Sequence, residues 1–228
     1  MATRTRRTER REEPLSRERI VEAAIELLDT VGERGLTFRA LAERLTTGPG
    51  AIYWHVTGKD ELLGAATEAV VAGTVPPDPA GTTPREAIRA LALGVFDAIE
   101  THPWIGTQLA RSPGKSPMLR VFEHLGRQVQ ALGAPPAFQF TAASALLNYI
   151  VGVGGQNAAD ARAHHARTPD TGRAEFLDDA AAAWADLDPV EYAFTRGVAD
   201  QLREHDDRTE FLAGIDLILT GITHRQPD

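Results

Sequence analysis

Side chains that can bind anions, planar hydrogen-bonding edges or aromatic surfaces are concentrated between residues 37 and 63: Arg39, Tyr53, Trp54, His55 and Lys59. A guanidinium can donate two parallel hydrogen bonds to a guanine edge, whereas an ammonium binds phosphate as a point charge. Tyrosine and tryptophan without a clear place in a core need another role. These residue types favour contact with nucleic acid, provided that local structure presents them on one surface.

Two short helices joined by a tight turn would present them in that way. The first follows Thr37 and has apolar residues at the three-and-four spacing of an amphipathic helix, namely Phe38, Leu41, Ala42 and Leu45. Pro49 then predicts a second helix to about Val56, because proline is favoured at the first helical position. Only Ile52 and Val56 are clear buried positions in this second helix. The pattern describes a helix-turn-helix, whose second helix enters the DNA major groove.

Helices on both sides complete a small head. Ser16 predicts the N-cap of a helix over residues 16–31, which Gly32 and Gly35 end. Its apolar stripe is Ile20, Ala23, Ala24, Leu27, Leu28 and Val31. A fourth helix begins near Lys59 with the stripe Leu62, Leu63, Ala66, Val70 and Val71.

Residues 16 to about 70 resemble the DNA-binding domain of TetR-type transcriptional repressors. The resemblance rests on GERGLTFRALAERL and AIYWHVTGKDELL, where the tyrosine, the histidine and the Gly-Lys pair have the family's spacing. It implies that Arg39 reads a base and that Thr37, Tyr53 and Lys59 bind phosphate. The expected DNA-contacting residues are Thr37, Arg39, Thr47, Pro49, Gly50, Ala51, Tyr53, Trp54, His55 and Lys59.

The turn departs from the family, which usually has a Gly-apolar-Ser sequence where this chain has Thr46, Thr47 and Gly48. Because a β-branched residue at positive φ is strained, we expect a locally rearranged turn with Gly48 as the N-cap of the next helix. Two structural alternatives stay open: Tyr53 could be a core aromatic with a surface hydroxyl, and His55 a cation at a helix C-terminus.

Charge is distributed unevenly along the 228 residues, whose net charge is −8. Residues 1–64 contain eleven basic and eleven acidic side chains, so the whole excess of acidic side chains lies in residues 65–228. Five arginines crowd residues 4–11, typical of an arm that binds phosphate or a minor groove, or simply of a solvated tail. With no cysteine, no apolar run after the first arginines and no segment expected to span a membrane, we expect a cytoplasmic protein.

After residue 75 a proline-rich connector leads into further helical patterns without any alternating strand pattern. The predicted fold is therefore all-α, with an N-terminal arm over residues 1–15, a three-helix helix-turn-helix domain with its connecting helix over 16–75, and a larger helical ligand-binding and dimerisation domain over 76–228. A capping box at Thr83 and Glu86 opens a helix with the stripe Ile88, Leu91, Val95, Phe96 and Ile99.

Later helices are predicted over Trp104 to Ala110 and Pro117 to Leu132, the second burying Leu119, Phe122, Leu125 and Val129. Phe138 to Gly155 is apolar on nearly every side, so we expect burial all round, most economically against a symmetric partner. Residues 164–174 are predicted as a loop, and 189 to 202 as one helix. A capping box at Asp207 and Glu210 opens the last helix, which resembles the helix that the family pairs across its dimer.

A ligand-sensing domain needs a mostly apolar cavity with a few polar groups. The candidate lining residues are Phe96, His102, Trp104, Phe122, Phe138, Asn148, Tyr149, Gln156, Trp184 and Tyr192. His164 and His165 with Asp160 are weighed as a metal site and set aside, because no further ligand lies at suitable spacing. Where tetracycline-binding members of the family have two histidines and a glutamate for magnesium, this chain has Val75, Leu109 and Gln156 or Asn157. We expect no catalysis, metal or cofactor.

The resemblance implies a homodimeric repressor that binds a palindromic double-stranded DNA operator and is released by a small-molecule effector, which the sequence does not identify. The alternative is a helical ligand- or partner-binding protein whose head docks another protein instead of DNA.

Overall fold

A computed structural model of the chain describes residues 14–74, 81–111, 116–167 and 172–224. The described residues form twelve helices and no strand, so the all-α prediction is confirmed. They divide into two compact units, the first ending at Ala66 and the second beginning at Thr67. The domain limits expected from the sequence stay a prediction.

The first unit contains the helices of the predicted head, α1 Arg17–Gly35, α2 Phe38–Arg44 and α3 Pro49–Ile52, and the beginning of α4 Lys59–Thr74. Ser16 and Thr37 are the N-caps of α1 and α2, as predicted, and their side chains accept hydrogen bonds from the amides of Arg19 and Ala40. The fully buried side chains Ile20, Leu41, Ile52 and Leu62 form the core between these helices.

Two predictions about the head were wrong. Val31 is 55% exposed, whereas Leu36 is 2% exposed. The reason is that Gly32 leaves the helical path inside α1, with φ 68° and ψ −177°, so the apolar stripe does not continue through Val31. The helix from Pro49 ends at Ile52 instead of Val56, and residues 53–55 form a turn in which the amides of His55 and Val56 donate to the Ile52 carbonyl.

The turn between α2 and α3 also differs from expectation. Thr46 adopts a φ of 53°, and no other described non-glycine residue has a positive φ. Its amide donates to the Glu43 carbonyl, and the Thr47 amide donates to the Ala42 carbonyl at 2.9 Å. These two bonds form a Schellman motif, which requires the left-handed conformation at the position of Thr46. The turn therefore retains Thr46 in the strained left-handed conformation. Gly48 serves as the N-cap of α3, as expected.

The second unit consists of the remainder of α4 and eight further helices. These are α5 Pro84–Thr101, α6 Trp104–Arg111, α7 Ser116–Ala131, α8 Pro136–Arg167, α9 Arg173–Ala185, α10 Ala193–Gly197, α11 Ala199–Arg203 and α12 Asp207–His224. The capping box of Thr83 and Glu86 is confirmed at the start of α5. The predicted stripe of α5, from Ile88 to Ile99, is buried, and α8 packs against α5, α6, α7 and α12.

Burial of α8 is one-sided, contrary to the expectation of burial all round. Its buried positions recur along a single face, at Ala142, Ala143, Leu146, Ile150 and Ala158. The opposite face is exposed and includes Ala145, Asn148, Gly152 and Gln156. Among the described residues, neighbouring helices cover only one side of α8.

Four further corrections concern helix phase and helix ends. Leu119 is 50% exposed and Phe122 is half-buried, because α7 turns Val121, Leu125 and Val129 into the core. Residues 164–167 are helical and continue α8, since its Ala-rich end has high helix propensity. The predicted helix from 189 to 202 is broken into α10 and α11 at Val198. Asp206, not Asp207, caps α12, because Asp206 Oδ1 accepts the Thr209 amide at 2.8 Å.

The stretch 136–160 of α8 is long and apolar enough, by length and composition alone, to cross a membrane, with a mean hydropathy of 1.3. The sequence prediction that no segment reaches this threshold was therefore wrong. Core helices of soluble proteins pass the same test, and α8 lies in contact with four other helices of the second unit.

We expect Thr46→Gly to stabilise the first unit by about 1 kcal/mol, because glycine adopts the left-handed conformation without the Cβ clash. The free energy of unfolding would be measured by urea titration of the full chain, followed by circular dichroism. Thr47→Gly is the matched control, since Thr47 has no positive φ, and should give no gain. An unchanged or lowered stability of Thr46→Gly would contradict the strain at this turn.

Candidate nucleic-acid interface

The turn and α3 present a continuous exposed surface. Trp54 is 89% exposed and Tyr53 is 56% exposed, which is unusual for large aromatic side chains. Pro49 and Gly50 are exposed beside them, and Thr47, Ala51 and His55 are partly exposed. Ile52, which separates these residues along the chain, is fully buried and anchors the helix. The short α3 thus presents small residues outward, and the turn after it presents the aromatic ones.

Tyr53 combines the two roles weighed from the sequence. Its ring stacks on that of Phe38 in α2, with centroids 4.4 Å apart and an angle of 2° between the ring planes. More than half of the side chain nevertheless remains accessible to solvent. The stack fixes α3 against α2 through one ring face, while the rest of the tyrosine is available to a ligand.

Arg39 and Thr37 lie at the start of α2. The Arg39 guanidinium forms an ion pair with Glu43 one turn later, at 3.0 Å, and the two side chains are 88% and 67% exposed. Such an exposed pair contributes about 0.3–0.5 kcal/mol, so the guanidinium can exchange it for another acceptor. The Thr37 hydroxyl accepts the Ala40 amide and retains its own proton as a donor.

Lys59 has a partner that the sequence did not indicate. Its ammonium donates to the backbone carbonyl of Glu33, 26 residues earlier, and ties the start of α4 to the end of α1. An ammonium has three donors, so two remain for an anion. No local pattern could have revealed this contact, because it depends on tertiary structure.

Glu61 is a second organising residue that sequence analysis missed. Its Oε2 accepts the amide and the hydroxyl of Thr57, each at 2.7 Å, and its Oε1 accepts from Arg17 of α1 at 2.8 Å. The Thr57 amide, the Arg17 side chain and the Thr57 hydroxyl lower the pKa of Glu61 from 4.5 to about 2. Since glycine occupies the N-cap position before Lys59, the usual Ser/Thr capping-box signature is absent from the sequence.

A shallow groove beside the turn contains further cations. It is lined by Pro14, Leu15, Arg19, Arg44, Leu45, Thr46 and Thr47. Arg44 is ion-paired with Glu26 of α1, and Arg19 donates to the Pro14 carbonyl at 3.3 Å. Neither arginine was among the residues predicted from the sequence.

The candidate ligand residues are divided among several places in the second unit. Phe96 and Tyr149 both stack on Phe211, with centroids 4.6 and 5.6 Å from it, and the Tyr149 hydroxyl donates to the Phe211 carbonyl. Desolvation raises the pKa of Tyr149. Trp104 is buried, and its ring lies 6.1 Å from that of His102.

The remaining candidates do not join these pairs. Phe122 meets Phe140 edge-on at 5.9 Å, and Phe138 is half-buried. Asn148 and Gln156 lie on the exposed face of α8, while Trp184 and Tyr192 are 37% and 40% exposed. Within the described part of the chain, no three His, Asp or Glu side chains converge as a metal site. The side chains of His164 and His165 lie outside the described residues.

Comparison with known proteins bears directly on this surface. The family described as "Bacterial regulatory proteins, tetR family" matches residues 20–66. An HTH-type transcriptional regulator from Saccharopolyspora erythraea is 34% identical over 139 residues, which are 60% of this chain and 59% of that relative. The chain therefore spans less than two thirds of the length of this relative.

Two solved structures cover nearly all of the chain. A transcriptional regulator described as a TetR from Streptomyces coelicolor is 62% identical, with a TM-score of 0.82, over 93% of this chain and 100% of its own. BioQ, solved with its double-stranded DNA operator, is 25% identical, with a TM-score of 0.59, over 93% of this chain and 100% of its own.

The Glu61 network predicts acid sensitivity of the first unit. A carboxyl group whose pKa is lower in the folded state stabilises the fold above its unfolded pKa, here 4.5, and loses that contribution as the pH falls through about 2. Glu61→Gln should lower the melting temperature at pH 7, and the difference from the parent should shrink between pH 4.5 and pH 2. Glu22→Gln, which changes an exposed carboxylate of α1, is the control. Equal melting temperatures of Glu61→Gln and the parent at pH 7 would contradict this role.

Proposed function

Because the chain belongs to the TetR family of transcriptional regulators, we propose that it is a cytoplasmic repressor that binds a palindromic operator as a homodimer and is released by a small-molecule effector. The observation that carries the DNA-binding part is the exposed surface of Arg39, Tyr53 and Trp54 on a helix-turn-helix. This surface contains the residue types that read base edges and bind phosphate.

The ten residues proposed to contact DNA divide by chemistry. Arg39 can exchange its weak ion pair with Glu43 for a guanine edge. Lys59, Thr37 and Tyr53 are the proposed phosphate contacts, and Lys59 lies at the first turn of α4, where free amides favour an anion. Pro49, Gly50 and Ala51 let the helix backbone approach the groove closely, beside Trp54 and His55. BioQ, a similar structure, was solved with its double-stranded DNA operator, which supports DNA as the partner of the head.

Two helices of the second unit have apolar faces suited to a symmetric partner. On α12, Leu217 is 75% exposed, between Ala213 and Gly221 on the same exposed face. On α8 the corresponding positions are Ala145 and Gly152. Because α8 and α12 contact each other, small residues on both allow the matching helices of a second copy to approach closely.

The effector would act through the second unit. In this proposal a small molecule shifts the helix from Lys59 to Val71, which changes the spacing of the two heads. Half-sites must lie about one helical turn apart, or a multiple of it, so a small change of spacing abolishes binding. By linkage, operator DNA must weaken effector binding by the same factor.

A gel-shift titration with DNA from around the protein's own gene tests the repressor proposal. We expect sequence-selective retardation, with an affinity that falls steeply as the salt concentration rises. For each phosphate contact, the logarithm of the affinity should fall by about 0.9 per unit of the logarithm of the salt concentration. Arg39→Ala should relax discrimination at one base position by about 1–3 kcal/mol. Arg127→Ala is the control, because Arg127 forms the same type of exposed pair with Glu123 in α7. The absence of sequence-selective retardation would contradict the repressor proposal and favour the alternative, in which the head binds another protein.

The dimer is tested separately. Leu217→Glu places a charge on the exposed face of α12, so we expect a shift from dimer to monomer in sedimentation equilibrium and a loss of operator affinity. Leu119→Glu makes the same change at an exposed position of α7 and should leave the dimer intact. A parent chain that sediments as a monomer, or a dimer unaffected by Leu217→Glu, would exclude this interface.

A further inference from the structure

Only one of the two carboxylate oxygens of Glu68, in α4, has a partner among the described residues. Its Oε1 forms an ion pair with Arg120 of α7 at 2.5 Å. Its Oε2 is buried and accepts a hydrogen bond from no donor in the described residues. By contrast, both oxygens of Glu61 in the same helix have donors. Glu68 therefore differs from a glutamate with a purely structural role.

Stability does not explain this arrangement. The Arg120 side chain is 53% exposed, and an ion pair with so exposed a cation contributes little. A buried carboxylate oxygen without a donor destabilises the folded state. Proteins retain destabilising polar groups mainly at functional sites, because activity and stability can place conflicting demands on the same residue.

Two further polar side chains belong to the same helices as Glu68 and Arg120. Thr67, the preceding residue, is 2% exposed. His124 follows Arg120 by one helical turn on α7, and its Nε2 is buried. A few polar groups among apolar helices are the usual composition of a small-molecule site. Glu68 is also nine residues after Lys59 in α4.

We propose that Glu68 Oε2 is the acceptor for a cationic group of the effector, a primary or secondary ammonium. Oε2 is buried although 29% of the Glu68 side chain is exposed, and a carboxylate binds a charged donor more strongly than a neutral one, which favours an ammonium over a hydroxyl. The inference rests on the proposed effector response and adds the chemical class of the effector. Binding at Glu68 would act on α4, the helix that contains the proposed phosphate contact Lys59.

Matched probes that differ only in the donor group test this assignment on the full chain. Phenethylammonium and 2-phenylethanol have the same apolar body, and thermal unfolding would be followed with each at millimolar concentration. We expect the ammonium to raise the melting temperature more than the alcohol does. Glu68→Gln should abolish this difference, whereas Glu123→Gln, at an exposed glutamate of α7, should preserve it.

The melting temperature of the free variant gives a second reading. If the role of Oε2 is to bind a ligand, Glu68→Gln without probe should melt at no lower temperature than the parent. A clearly lower melting temperature would show that the ion pair is structural and would overturn the proposal. Equal effects of ammonium and alcohol on the parent, or an ammonium effect that survives in Glu68→Gln, would also overturn it. Operator retardation without probe distinguishes this failure from failure of the repressor proposal, because it does not involve Glu68.

Discussion

The orientation of α3 depends on how α2 ends. The Schellman motif formed by the amides of Thr46 and Thr47 reverses the chain within a few residues, and it does so with a threonine in the left-handed conformation. The stack of Tyr53 on Phe38 then fixes the angle between the two helices. Together they leave Trp54 almost fully exposed. A different ending of α2 would turn these aromatic residues elsewhere.

A second set of contacts holds the start of α4 in the first unit. Lys59 donates to the end of α1, and Glu61 joins Arg17 of α1 to the turn at Thr57. Lys59 donates to a carbonyl at the end of α1, whereas Glu61 accepts the Thr57 amide just before α4, a group that would otherwise lack an acceptor. The residue proposed to bind phosphate is thereby also a structural residue, so its position is fixed before any DNA arrives.

The second unit is built around α8, and its described helices cover only one side of it. Leu146 and Ile150 are fully buried, whereas Asn148 and Gly152 face outward. The same asymmetry occurs on α12, where Ile215 is buried and Leu217 is exposed. These exposed faces are the ones proposed to pack against a second copy of the chain. Glu68 is a separate case, in which a polar atom is buried without a donor among the described residues.

Sequence alone determined the features that depend on near neighbours along the chain. Ser16, Thr37 and the pair of Thr83 and Glu86 marked helix starts correctly, because capping is a contact over three residues. The motif around Tyr53 and Lys59 likewise indicated the family, while contacts of individual residues with DNA or effector stay predictions. Tertiary structure decided whether Leu119 or Val121 of α7 is buried, which carbonyl Lys59 reaches, and that one oxygen of Glu68 has no described donor. These outcomes depend on the rotation of whole helices against distant ones, which periodicity along the chain does not fix.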